Sequence, residues 1–445
     1  MRALIAAGER SASVLTLAKL ANVALSMLWG FAVTFVFVRA LPGAEFQAFL
    51  LLIAFNNFTQ SAEFGLTNVI YARLRRYWLA RGGQEPGGEV DRGDFRREEL
   101  GVLFLFLGGI VVAGALIVAL AIALGWIRTG LPGIFLIFFL ASALNVLLLL
   151  AKRALAAVDR NLLWEALDFL RRVLGLAILF AVLAGFDLMA SVSLQLVLNA
   201  GAVIAGMALI QQRTGMHLRQ WVAFRAGGGH VRRTYLRDVG ASAVLTLSEV
   251  AAYNAPYFLI AALAHDGQLM LLFDFTFKMI RSVTTATRAT IEGALPRLTR
   301  YWFAGEAAPF RAGLRRALLV ALCVALCADI VLVALGQRLF TILFDGRAAL
   351  GTGELWLLCA LLLLLAVICT SVYVQGALGR FGALLRQSLP FLAGSLLSVP
   401  LALAAGGGTG VTAHTGLSYM MIYMLVFVGV AALHGVALRR LARSL

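Results

Sequence analysis

Charge is scarce in this chain: Asp, Glu, Lys and Arg make up 13% of its 445 residues, where an ordinary soluble domain carries about a quarter. With 61% hydrophobic residues gathered in long runs, too little polar surface is left for a water-soluble fold. Cysteine is scarce as well. Cys323, Cys327, Cys359 and Cys369 all lie inside apolar runs, where a thiol serves as a small soft hydrophobe. Cys323 and Cys327 share a helix face, but no His or carboxylate joins them on it, so no metal site is expected. His217, His230, His265, His414 and His434 fall in loops or near helix ends, with nothing linking them to a reactive partner.

Walker signatures, a nucleophile elbow and a metal-spaced histidine set are all missing. An ATP motor within the chain is thereby excluded, and neither an enzyme nor a resident cofactor is expected. The glycine-rich run Gly406-Gly407-Gly408-Thr409-Gly410 lacks the Gly-Lys-Ser/Thr ending of a phosphate loop. Lysine is nearly absent, at 3 residues against 35 arginines, yet the net charge is +16. The arginines sit between apolar runs, as topology signals do, so nucleic acid is not expected as a partner.

What remains is bilayer composition. A spanning helix needs roughly 20 apolar residues, because the hydrocarbon layer is about 30 Å thick and a helix rises about 1.5 Å per residue. Twelve spans are expected, near 12–39, 46–73, 99–126, 131–154, 162–184, 188–211, 238–263, 267–296, 312–335, 350–376, 383–404 and 412–437. The first, with Lys19 inside it and no small-residue cleavage site, reads as a retained helix. Arginines cluster after spans 2, 4, 6 and 8 and at the C-terminus, whereas the alternate loops holding Asp187, His265 with Asp266, and His414 contain no Lys or Arg. Both termini are therefore expected in the cytoplasm.

The chain also repeats itself. Val14-Leu15-Thr16-Leu17 opens span 1 and Val244-Leu245-Thr246-Leu247 opens span 7, while Arg73-Leu74-Arg75-Arg76-Tyr77-Trp78 ends span 2 and Arg297-Leu298-Thr299-Arg300-Tyr301-Trp302 ends span 8. Six spans separate the copies, so both halves point the same way, as parallel repeats. The expected architecture is an all-α integral membrane protein of two pseudo-symmetric six-helix lobes around a central cavity. The lobes are 1–212 and 238–445, joined by a basic cytoplasmic linker at 213–237.

Charge inside a span costs roughly 2.5 to 3.5 kcal/mol at the helix centre and marks function unless it is paired. Span 8 carries Asp274, Lys278, Arg281, Arg288 and Glu292, with Thr285 among them, at steps of 3 and 4 that keep all six on one face. Local pairing of Asp274 with Lys278 and of Arg288 with Glu292 would make the stripe an internal ladder. Those pairs leave out Arg281, which points instead to a hydrated cavity receiving an anion. Span 2 has a second stripe of Asn56, Gln60, Glu63 and Thr67. Lys19 and Glu249 occupy equivalent places in the repeat, with opposite charges facing the cavity, although Lys19 also lies close enough to the interface to snorkel. In span 5 Glu165, Asp168, Arg171 and Arg172 favour a structural reading, and Lys152 and Arg153 read as positive-inside anchors.

Val38-Arg39-Ala40-Leu41-Pro42 with Glu45-Phe46, followed by Glu63-Phe64-Gly65-Leu66-Thr67, resembles the opening of the Wzx-like polysaccharide flippases of the multidrug/oligosaccharidyl-lipid/polysaccharide exporter superfamily. Pro42-Gly43 stands where that family has Gly then Pro. The resemblance implies a V-shaped pair of lobes in a bacterial inner membrane. It implies movement of undecaprenyl-pyrophosphate-linked oligosaccharide to the outer leaflet, alongside other polysaccharide-assembly proteins and membrane lipids. Lys19, Lys278, Arg281 and Arg288 would neutralise the pyrophosphate and Asn56 and Gln60 would bond sugar hydroxyls. Glu63, Glu249 or Asp274 would carry a coupling proton or sodium ion. Alternatives are a drug exporter of the same superfamily, a membrane-embedded glycosyltransferase or ligase, whose catalytic outer loop is not evident here, and a structural scaffold.

Overall fold

Lipid offers a backbone no hydrogen bonds, so apolar runs of this length close their own as helices. The computed structural model describes residues 12–61, 63, 66–81, 95–222, 224–264, 267–378, 380–405 and 415–444. Their long helices follow the twelve expected spans in order. These are α1 (Ala12–Ala40), α2 (Gly43–Ser61), α3 (Leu66–Arg81), α4 (Glu98–Ala123), α5 (Pro132–Ala143), α6 (Asn145–Ala157), α7 (Asn161–Ala181) and α8 (Leu188–Thr214). A single turn, α9 (Leu218–Trp221), precedes α10 (Phe224–Leu259), α11 (Gly267–Phe303), α12 (Ala307–Leu343), α13 (Thr352–Ala377), α14 (Phe381–Ala405) and α15 (Thr415–Arg443). Among the described residues, 9 stretches are apolar and long enough to cross a bilayer. The spans that fall short of that test are the one divided between α2 and α3, α7, and α11. All three carry the intramembrane charge or polar stripes picked out in the sequence.

Local chemistry sets the departures from straight helix. Span 2, expected as one helix over 46–73, is two helices separated at residues 62–65, where Glu63 forms a turn. Span 4 is interrupted at Leu144, where Asn145 Nδ2 donates to Ser142 O at 2.8 Å. Pro256 removes an amide donor within α10, and that helix ends in a π-turn over Ile260–Ala264. The loop residues 82–94 and the glycine run at 406–410 lie outside the described residues.

The chain divides into two compact units, Met1–Thr246 and Leu247–Leu445, with the boundary inside α10. In the first, α3 packs on α6, α4 on α5, α5 and α6 on α8, and α7 on α8. In the second the corresponding spans pair the same way: α11 on α13, α12 on α13, α13 on α15, and α14 on α15. The repeated hexads occupy matching places. Leu74 and Leu298 are each buried in the core of their own unit, with Tyr77 and Trp78, or Tyr301 and Trp302, packed against it. A third match emerges where spans 4 and 10 end. Ala157-Val158-Asp159-Arg160 parallels Ala377-Leu378-Gly379-Arg380. There the amide of Arg160 donates to Leu155 O at 2.9 Å and that of Arg380 to Gln375 O at 3.0 Å.

The segment expected as a linker is folded onto the first unit. Arg97 Nη1 donates to Gly215 O at 2.8 Å, Gln220 Nε2 to Glu98 Oε1 at 3.0 Å, and Trp221 is buried. Glu99, with no exposed surface, receives Arg73 through Nε at 2.9 Å and Nη2 at 2.8 Å. His230 Nε2 of α10 lies 2.9 Å from the same carboxylate. Three elements are thus tied through one buried acid.

Candidate functional site

The span 8 stripe is built on α11, whose inner face carries polar groups among aromatic rings. Asp274 is completely buried and ion-paired with Lys278 one turn on. The hydroxyl of Tyr257, from α10, donates to Asp274 Oδ1 at 2.7 Å. Tyr257 itself packs edge-on to Phe273 at 4.7 Å and to Phe277 at 5.9 Å between ring centroids. Tyr253, one turn earlier, meets Phe391 of α14 at 4.9 Å, and Phe273 meets Tyr419 of α15 at 6.1 Å. This ring lattice excludes water from the pair, which strengthens its attraction and makes it costly to break.

The local pairing read from the sequence therefore holds for Asp274 and Lys278. It also engages the Lys278 ammonium, assigned above to a substrate anion, and it holds Asp274, assigned to ion coupling, between an ammonium and a hydroxyl. Arg281 and Arg288 are exposed on the same helix, and the Arg288 guanidinium carbon lies 5.7 Å from the Tyr373 ring centroid. The side chain of Glu292 falls outside the described residues. By formal charge the stripe of Asp274, Lys278, Arg281, Arg288 and Glu292 holds three basic and two acidic residues, a net charge of one positive. Glu249, half-buried on α10, is in electrostatic range of Tyr253 and Cys369.

The span 2 stripe is not a single face. Asn56 is buried near the end of α2 with its Oδ1 lacking a hydrogen-bond partner among the described residues, and Gln60 is half-buried one turn on. Glu63 lies beyond the break. There its carboxylate accepts the Thr67 amide at 3.2 Å and its carbonyl the Leu66 amide at 2.9 Å. It caps the free amides that begin α3. Lys19 is exposed near the start of α1.

Elsewhere in the first unit, polar groups close on one another. Glu165, fully buried on α7, accepts Asn22 Nδ2 of α1 at 2.6 Å and pairs with Lys152 Nζ of α6 at 3.0 Å. Lys152, expected as a positive-inside anchor, is thus an internal partner. Asp168 holds Arg171 at 2.7 Å and Arg172 at 2.9 Å, and Arg171 Nη1 also donates to Asn199 Oδ1 at 2.6 Å. In the second unit His434 is buried beside Ser371, Nδ1 to Oγ 3.0 Å, and Gln375 joins Ser371 to Gln387. Tyr257 and His434 were not legible as site residues, because their partners come from other helices. Asp329 carries no such signal for a different reason: it is a single acid in an apolar run and belongs to no stripe.

The repeated helix packing and the apolar spans define an all-helical membrane protein built of two similar units. Solved structures give that fold its name. A multidrug resistance MATE family transporter of the MOP superfamily, in an inward-facing conformation, matches with TM-score 0.66 and 13% identity over 96% of each chain. The eukaryotic MATE transporter AtDTX14 matches with TM-score 0.64 and 14% identity, again over 96% of each chain. A mutant of the Vibrio cholerae MATE transporter VcmN matches with TM-score 0.63 and 16% identity, covering 99% of this chain and 98% of that one. The chain therefore has the MATE fold over nearly all of its length. No family model and no curated protein matches its sequence.

Proposed function

We propose that this protein is an exporter of the MOP type that moves a polyprenyl-pyrophosphate-linked oligosaccharide across a bacterial inner membrane. It works by alternating access with ion coupling, and both termini are cytoplasmic. The observation that carries the substrate class is the surplus positive charge on α11. Asp274 pairs with Lys278, and the Arg281 and Arg288 side chains are exposed farther along the helix. A guanidinium binds phosphate oxygens through two parallel donors, which suits a pyrophosphate head. Asn56 and Gln60 offer amides to sugar hydroxyls. Alternation follows if the anionic substrate and the coupling ion favour different conformations.

A multidrug exporter is the second reading. It is favoured by the rings of Tyr253, Tyr257, Phe273 and Phe277 lying close to Glu249 and Asp274, a setting that also suits an organic cation.

Affinity for a pyrophosphate-headed lipid decides between them. A hydrogen bond to a charged group contributes about 1.5 to 3 kcal/mol, and each 1.4 kcal/mol is tenfold. Arg281→Ala is therefore expected to weaken binding by roughly 10- to 100-fold. Unchanged affinity, together with saturable binding of an organic cation, would establish the second reading.

A further inference from the structure

Helix α12 turns most of its surface outward, and its buried side chains form one narrow seam of Ala321, Ala325, Asp329, Leu332 and Gly336. The seam packs tightly on α13, for a Cβ added at Gly336 would stand 2.9 Å from Leu355 Cδ1. In its middle lies Asp329, 6% exposed, with neither carboxylate oxygen in an ion pair or in a hydrogen bond to an N–H or O–H donor among the described residues. Counting from Arg316 and Arg338, the residue is roughly 20 Å from one end of the apolar run and roughly 13 Å from the other. It therefore sits within the hydrocarbon depth.

The helices packed against α12 are α11, α13 and α15. Among their described residues, the titratable side chain in electrostatic contact with Asp329 is the buried Cys359 thiol of α13. Asp274 is the instructive contrast. Its carboxylate has an ammonium and a phenol hydroxyl, which is how an ionised acid is kept in a dry interior. Asp329 has neither.

We infer that Asp329 is a proton-binding site, held as the neutral carboxylic acid against Cys359 in the α12–α13 seam, and that it is the proton carrier of the second unit. A neutral acid needs only one acceptor for its hydroxyl, which a helix carbonyl one turn earlier can provide. Sodium is a poorer fit, because a hard cation takes several oxygen ligands and the seam around Asp329 is alanine, leucine, glycine and a thiol. The carrier role rests on the transport reading above; the protonated site does not.

The test separates the two. Infrared difference spectra of the protein in lipid, wild type minus Asp329→Asn, are expected to show a carboxylic acid carbonyl band that shifts on exchange into heavy water. Cys359→Ser, which places a stronger hydrogen-bonding group beside the acid, should move that band without removing it. Absence of the band from the wild-type difference, or a band unmoved in Cys359→Ser, would overturn the site. In proteoliposomes, Asp329→Asn should lose the response of transport to an imposed pH gradient while still binding substrate. Transport that keeps a full response would overturn the carrier role even where the band is present.

Discussion

Removing the Lys278 ammonium should be among the most damaging single changes in the second unit, for a reason unconnected with substrate. Lys278→Met leaves Asp274 fully buried without its ammonium, with the Tyr257 hydroxyl still donating to it. Stranding one member of a buried pair costs about 3 to 5 kcal/mol, whereas replacing both by neutral groups of similar size is often without cost. The double variant Asp274→Asn with Lys278→Met should therefore recover most of the loss. It also leaves the formal charge of the α11 stripe as it was, so binding of a pyrophosphate head through Arg281 and Arg288 should survive in it. Equilibrium unfolding in mixed detergent micelles measures the first effect and lipid-ligand titration the second. A Lys278→Met protein as stable as wild type would refute the reasoning, as would a double variant no better than the single one.

Other outcomes follow from the same geometry. Glu63→Gln should retain gradient-dependent activity, because Glu63 caps α3; Glu63→Ala should lower stability by about 1 kcal/mol, read by unfolding. Glu99→Leu should free the start of α10, seen as faster amide exchange around His230, because it leaves Arg73 without the carboxylate that binds it twice. Gly394→Ala would drive a methyl to 2.5 Å from Val426 Cγ1 between α14 and α15, costing about 1 to 3 kcal/mol. Gly30→Ala, with nothing within 4 Å, is the control and should be neutral or slightly stabilising.

The helical plan was legible because lipid leaves a backbone few options, and residues such as Asp274 and Lys278 announce their pairing by spacing alone. The break in span 2 was harder to see. Glu63-Phe64-Gly65 reads equally as helix or as a cap followed by a new start, and hydropathy does not distinguish them. Contacts between distant spans left no periodic trace: Glu165 with Asn22 and Lys152, or Tyr257 with Asp274, depend on which helices become neighbours. Spacing shows that Asp274 and Lys278 can meet, but not how far the meeting satisfies them. Asp329 is a lone acid in an apolar run, and its thiol neighbour Cys359 comes from another helix, so no spacing announces it.

The most direct measurement is transport of a fluorescent undecaprenyl-pyrophosphate oligosaccharide in proteoliposomes, comparing wild type with Arg281→Ala under an imposed ion gradient. Gradient-dependent movement of the lipid that is lost in the variant is the predicted result. No movement of that lipid, with export of an organic cation from the same vesicles, would contradict the proposed substrate.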